Sequence, residues 1–420
     1  MTDIQRPEEL VANDGRVRLY GQQFHTDPAS LYLAIRQRFG PVAPVLLDGD
    51  LPAWLVTGYR EMHQVTTDNV LFARDTRRWN QWANVPSDWP LLPYVMHNPS
   101  VMFTELGEHQ RRAGAIGDAL SAVDQFELRA HCEKIADRLI DAFAGTGEAD
   151  LIAQFANQIP LLAVAKMYGM SEAETPQLVR DVAMSLDVGP EALPAYLRVQ
   201  ESMGRLVASK RATPGNDVPS QLITHKAGLS TEEIVQDLLV VTAAAQQPTA
   251  NWIGNTIRLM LTDSRFAMTL TGGRGSVGQA LNEVLWHDTP TQNFIGRFAT
   301  RDTQLAGQRI RTGDMLVLGL AAANADPHVR PDLAAGSLGN HAHMSFGNGE
   351  HGCPYPAPEV AELIARSTVE VLLDRLPDLA LAVPEEALVW QRSVWMRGLE
   401  SLPVTFTPTY TVGVQAGATW

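Results

Sequence analysis

The sequence predicts a mainly α-helical fold with a minor β part, and three observations carry that reading. Apolar residues recur at helical spacing through seven long stretches. Strand-like alternation is confined to short stretches towards the two ends of the chain. Those distant strand segments must pair, which favours one interlocked unit over residues 1–420 rather than separable domains.

The first residues, "MTDIQRPEELVANDGRVRLYG", are polar and hold no apolar run, so neither a signal peptide nor a membrane anchor is expected and the protein reads as cytoplasmic. "PAWLVTG", near 52–58, alternates as a strand does. The segment 75–100 carries Trp79, Trp82, Trp89 and Tyr94 with little periodicity. That much aromatic surface suits a lid or pocket wall, and ordinary packing of the same rings is an equal alternative. Helical spacing then runs through 107–145, 151–169, 174–188, 191–210 and 230–262, and returns over 276–287 and 358–376. Gly, Pro and Ser cluster in "KRATPGNDVPS" (210–220) and "TGGRGS" (271–276), which read as surface loops. Residues 297–319 read as short strands joined by Gly turns, and "RGLESLPVTFTP" again suggests β structure.

Composition narrows the function. A chain of 420 residues with 45% hydrophobic content can bury a substantial core. Its 33 basic and 47 acidic residues give a net charge of −14, which argues against a general nucleic-acid binder, because phosphates would be repelled. Two cysteines without a secretory signal are expected to stay reduced. Cys132 falls within an amphipathic helical pattern and reads as a structural core thiol.

Cys353 is different. It sits in "HMSFGNGEHGCPYPAPEVAE" (343–362), behind Gly347, Gly349 and Gly352, where a buried thiol has no packing reason to be framed by glycines. A metal bound by one thiolate needs a tight turn with backbone N–H groups near the sulfur, and glycines permit it. The pattern Phe346-Gly347-x-Gly349-x-His351-x-Cys353 resembles the haem-binding loop of the cytochrome P-450 family. The resemblance extends along most of the chain, through "GEHQRR" (107–112), "TPTQNFIGRFATRD" (289–302), "AAANADPHVRPD" and "RGLESLPV". It implies a triangular helical prism with haem b between a long central helix and the cysteine-loop helix. It also implies Cys353 as axial thiolate to the iron, with His109, Arg297, His343 and His351 near the propionates and Phe346 and Gly347 in the haem loop.

Departures from the family pattern bear on chemistry. The family's Glu-x-x-Arg is replaced by Glu283-x-x-Trp286, similar to a small actinobacterial subset, and no arginine between Arg330 and Cys353 completes the usual trio. Losing both partners together avoids burying one guanidinium without its carboxylate. Trp286 can fill the space, with its indole N–H available to Glu283. On the central helix, Gln247 and Pro248 stand where an acid and a Thr usually deliver protons, with Thr249 one place later. Gln cannot relay as a carboxylate would, and Pro248 frees the carbonyl of Ala244. Tyr355 replaces a Gly, and its flanking prolines suit a helix start. Ala113 stands where many relatives have a propionate-binding Arg, leaving Arg111 or Arg112 to compensate.

The resemblance implies a haem-thiolate oxidase that takes electrons, ultimately from NAD(P)H, through a ferredoxin and its reductase, binds O2 and forms a ferryl oxidant. The outcome would be hydroxylation or C–C or C–N coupling of a small aromatic secondary metabolite. Trp79, Trp82, Trp89, Val241, Ala244, Ala245, Gln292, Phe294 and Trp395 are the expected substrate contacts. Electrons are expected to enter on the cysteine side, where Arg111, Arg112 and Arg366 could meet an acidic ferredoxin. A peroxide-driven haem enzyme and a catalytically silent haem-binding regulator are the alternatives. No nucleic acid and no membrane is expected as partner.

Overall fold

The computed structural model describes residue 12 and residues 15–185, 191–267, 275–330, 340–409 and 411. Most of the "TGGRGS" loop and the first eleven residues of the polar N-terminal stretch lie outside them, as does the end of the 174–188 helix.

A helix of 32 residues, Thr231–Thr262, runs through the molecule. At 1.5 Å per residue it is about 48 Å long. It begins at a complete capping box. The Ser230 hydroxyl accepts from the Glu233 N–H at 3.1 Å, and the Glu233 carboxylate accepts from the Ser230 N–H at 2.7 Å. Helices Gln125–Asp141, Ile159–Met167, Ala192–Ala212, Gly275–His287 and Ala357–Arg375 pack their apolar faces with it into one large core. The periodic stretch 107–145 is two helices rather than one. Asp124 accepts from the N–H groups of Phe126 and Glu127 and so starts a second helix after Leu106–Ser121 ends. Cys132 lies in the main core, fully buried, and burial pushes its thiol up to about 12.

Six strands form a sheet in the order β1 (Val17–Arg18), β2 (Val42–Leu47), β3 (Leu51–Val56), β9 (Met315–Leu318), β6 (Phe294–Ala299), β4 (Phe72–Ala73). The expected pairing of distant segments is made where β3 lies parallel to β9, Trp54 opposite Leu316. β2 went unread because Pro44 interrupts its apolar run. It pairs antiparallel with β3 all the same, at the side of the sheet capped only by two-residue β1. The remaining strands are the hairpin β7 (Thr303–Leu305) and β8 (Gln308–Ile310), and a small sheet of β5 (Glu148–Asp150), β10 (Ala380–Leu381) and β11 (Pro403–Thr405).

One irregularity of the sheet positions the site. The β6–β9 register slips between Phe294 and Arg297, where a Cβ on Gly296 would lie 1.1 Å from the Leu316 carbonyl oxygen. Only glycine allows that approach, and the resulting bulge leaves the carbonyls of Ile295 and Gly296 for another donor. Among the described residues no helix is long and apolar enough to cross a membrane.

Candidate functional site

The cysteine loop is a chain of short backbone bonds. Gly347 N–H donates to Met344 at 2.8 Å, Gly352 N–H to Gly349 at 3.0 Å and Cys353 N–H to Phe346 at 2.8 Å. Gly347 and Gly349 have φ of 71° and 74°, the left-handed region that glycine adopts freely. A Cβ on Gly349 would come within 2.4 Å of the Thr66 carbonyl, so the loop lies directly on the helix Tyr59–Thr67. The Phe346 ring stands edge-on to Trp252 of the central helix, centroids 5.8 Å apart. Asn324, from the Ala-Ala-Asn turn, ties the loop to the helix Gly275–His287. Its amide donates to Leu285 O at 2.9 Å and its oxygen accepts from Met344 N–H at 2.6 Å.

The sulfur of Cys353 has open surface although protein surrounds it, and burial pushes its thiol up to about 12. Such a sulfur stays protonated at neutral pH unless a cation binds it, which is the condition under which a metal becomes its partner. On the central helix Ala243 and Ala244 are exposed in the midst of buried neighbours, and Gln247 and Pro248 are half-buried beside them. Their spacing puts these four on one face of the helix. Thr249 is buried off that face. The adjacent Gln246 points elsewhere and donates to Asn157 O at 2.8 Å.

Beside the loop lies a cluster of two histidines and two buried arginines. The rings of His109 and His351 are 3.8 Å apart. His109 has both nitrogens 3.1 Å from carbonyl oxygens, those of Val101 and Glu350. Burial, then the charges of Arg297, His109 and Arg74, holds His351 neutral, down to about 2. Arg297 is 1% exposed, its Nε has no partner, and burial lowers it to about 10. Arg74 is equally buried and was not read from the sequence. In "ARDTRRW" it looks like one of several surface charges. His343 has Trp286 and Phe346 as ring neighbours at 5.8 and 5.9 Å.

Several expected roles are corrected. Arg112 does not take the place of an arginine at 113: it is ion-paired with Asp237, at 2.9 and 2.5 Å, in the core. Arg111 is paired with Glu233, and Arg366 with Glu370 at 3.2 Å. The Trp286 indole donates to Asn340 O at 2.9 Å rather than to Glu283. Glu283 lies 2.9 Å from His287, which lies 2.9 Å from Arg330, and the Arg330 guanidinium sits 5.1 Å over the Trp286 ring. The helix has thus kept an arginine, supplied from further along the chain. Trp79, Trp82 and Trp89 form an aromatic cluster with centroids 5.4 and 5.6 Å apart. Trp79, Trp89 and Trp395 are 3% exposed and belong to the core behind the sheet, with Trp82 packed against it. Gln292 donates to the carbonyls of Ser393 and Met396 at 2.8 and 3.1 Å, bracketing the C-terminal turn. Phe294 lies under the Arg74 guanidinium, 4.9 Å away. Val241 and Ala245 are half-buried against the main core.

A single open thiol, a cluster of buried cations with unpartnered nitrogens and a central helix with an exposed alanine face fit haem. Cys353 would bind the iron, and the cluster would take the propionates. These features define a haem-thiolate oxidoreductase.

No family model matches the chain. It is 26% identical over 412 residues to the polyketide biosynthesis cytochrome P-450 PksS of Bacillus subtilis (strain 168), covering 92% of this chain and 98% of that one. It is 29% identical over 388 residues to the biflaviolin synthase CYP158A1 of Streptomyces coelicolor, covering 89% and 92%. A solved structure of CYP154C4 from Streptomyces sp. ATCC 11861 superposes with a TM-score of 0.82 at 28% identity, covering 93% and 98%. In sequence and in fold the chain is thus similar, over nearly its whole length, to bacterial cytochromes P-450.

Proposed function

We propose that the protein oxidises a small aromatic secondary metabolite, by hydroxylation or oxidative coupling, with haem b held at Cys353. Electrons come from NAD(P)H by way of a ferredoxin and its reductase. When bound, haem supplies activation of O2. The observation that carries the reading is the open Cys353 sulfur in a protein whose central helix exposes Ala243 and Ala244. The aromatic class draws support from the biflaviolin synthase named above.

This chain's residues bear on protons more than on the oxidant. Gln247 offers an amide, which neither gains nor loses a proton near neutral pH. Pro248 has no N–H, so the Ala244 carbonyl one turn earlier is left as a free acceptor on the exposed face. That carbonyl can hold a water or a substrate hydroxyl, which then carries the proton. Replacing Pro248 by Thr restores a helix N–H and adds a hydroxyl. We expect changed coupling of electron use to product, and unchanged coupling would show that Gln247–Pro248 has no part in proton handling.

The pairing of Arg111, Arg112 and Arg366 with carboxylates favours a second reading, in which hydrogen peroxide replaces O2 and the redox partner. Turnover of a panel of phenols and indoles with ferredoxin and reductase, against turnover with peroxide, decides between them. No product by either route would leave a haem-binding regulator.

A further inference from the structure

We infer that Arg74 clamps a haem propionate jointly with Arg297, supplying the cation that Ala113 does not. The inference rests on the haem reading of the site. Arg74 is 2% exposed, and its Nη1 donates to the carbonyls of Ile295 and Gly296 at 2.6 and 2.8 Å, the two groups that the Gly296 bulge leaves for it. Its Nη2 is buried without a partner, as is Nε of Arg297. The rings of Phe294 and Phe103 lie 4.9 and 5.8 Å from the guanidinium and shield it. Among the described residues neither arginine is in an ion pair. Of the nearby carboxylates, Glu105 accepts from the N–H groups of Arg74 and Asp75 and from the Arg78 side chain. Glu350 accepts from the Asn69 amide at 2.9 Å through Oε2, and its charge favours the Arg297 guanidinium without forming an ion pair with it.

Two buried guanidiniums, each lowered by burial and Arg74 further by the charge of Arg297, each with a side-chain nitrogen that has no partner, are unfavourable by themselves. Donors so placed are complementary to a carboxylate arriving from outside the chain. A haem edge carries two. Arg111 and Arg112 cannot contribute, because each is committed to a carboxylate of the central helix.

The test is haem loss from the purified ferric protein into excess apomyoglobin, with the ferric–ferrous potential measured on the same samples. Arg74→Gln keeps a donor for the Ile295 and Gly296 carbonyls but removes the charge, whereas Arg74→Lys keeps the charge. Haem should leave Arg74→Gln about ten- to a hundredfold faster than wild type, and its potential should fall, because a cation near the iron no longer favours the reduced state. Arg74→Lys should recover much of both. Arg111→Ala should match wild type. Arg74→Gln holding haem as wild type does would overturn the inference and leave Arg74 a bulge-filling donor. A wild-type protein that binds no haem would overturn the site reading itself. If Arg74→Gln does not fold, the lysine variant decides, since a purely steric role predicts no recovery of the potential by charge.

Discussion

Cys353 is placed by its backbone, through the N–H donated to Phe346, and by glycines that no larger residue could replace in the same turn. Cys353→Ala should therefore leave the fold intact and abolish the thiolate-type absorption of the ferrous carbonyl complex. A surviving thiolate band would assign the ligand to another sulfur. His343 offers a second prediction of a different kind. Burial, then the neighbouring His341, lowers it to about 4, with its Nδ1 lacking a partner. The unfolded chain binds that proton near pH 6.5 and the folded one does not, so stability is full above about 6.5 and is lost as pH falls towards 4. Partial burial limits the loss to about 2 kcal/mol. His343→Phe should flatten urea-unfolding stability over that range, and an unchanged slope would place the proton uptake elsewhere. These residues also show what a sequence discloses. Glycines at fixed spacing around one cysteine declare a turn, because backbone geometry demands them. Arg74 declares nothing, since its burial depends on a bulge made by Gly296, more than two hundred residues away.

Elements were legible where periodicity was long, as in the central helix, and obscure where one residue overrode it. Asp124 cut one helix into two by capping, and Pro44 hid a strand. The aromatic stretch 75–100 shows the opposite failure. Without periodicity its rings read equally as wall or core, and the fold places Trp79 and Trp89 in the core behind the sheet and leaves Trp82 and Tyr94 half-buried against it. The helix Gly275–His287 carries the sharpest test at this scale. Trp286 packs beneath Arg330, which meets His287 and through it Glu283. Restoring the family's arginine by Trp286→Arg would put a second guanidinium beside Arg330 and strip the indole from Asn340. The expected result is destabilisation by roughly 3 kcal/mol in urea unfolding. Trp286→Phe keeps the packing and loses only the hydrogen bond, for about 1 kcal/mol. Equal or greater stability in Trp286→Arg would mean that Arg330 does not occupy the lost partner's place.

Across the whole molecule the net charge is −14, and arginines on the helix that follows the cysteine and on its neighbour Gln125–Asp141 are paired with carboxylates. Arg129 meets Glu133 and Glu370, Arg366 meets Glu370, and Arg375 meets Asp137 and Asp141 at 2.8 and 2.7 Å. A guanidinium already facing a carboxylate adds little long-range field, and an acidic ferredoxin would be steered weakly. Where opposite charges draw two proteins together, raising salt from about 50 to about 300 mM screens the attraction and lifts the KM for the partner steeply. Here the rise should stay under about threefold, because docking must rely on shape and apolar contact, with Tyr355, 74% exposed two residues past the cysteine, at its centre. Tyr355→Ala should then raise KM for ferredoxin more than Arg366→Ala does, while peroxide-driven turnover stays level in both. A steep salt dependence with a dominant Arg366 effect would instead show that the pairs open on docking and release their arginines to the partner.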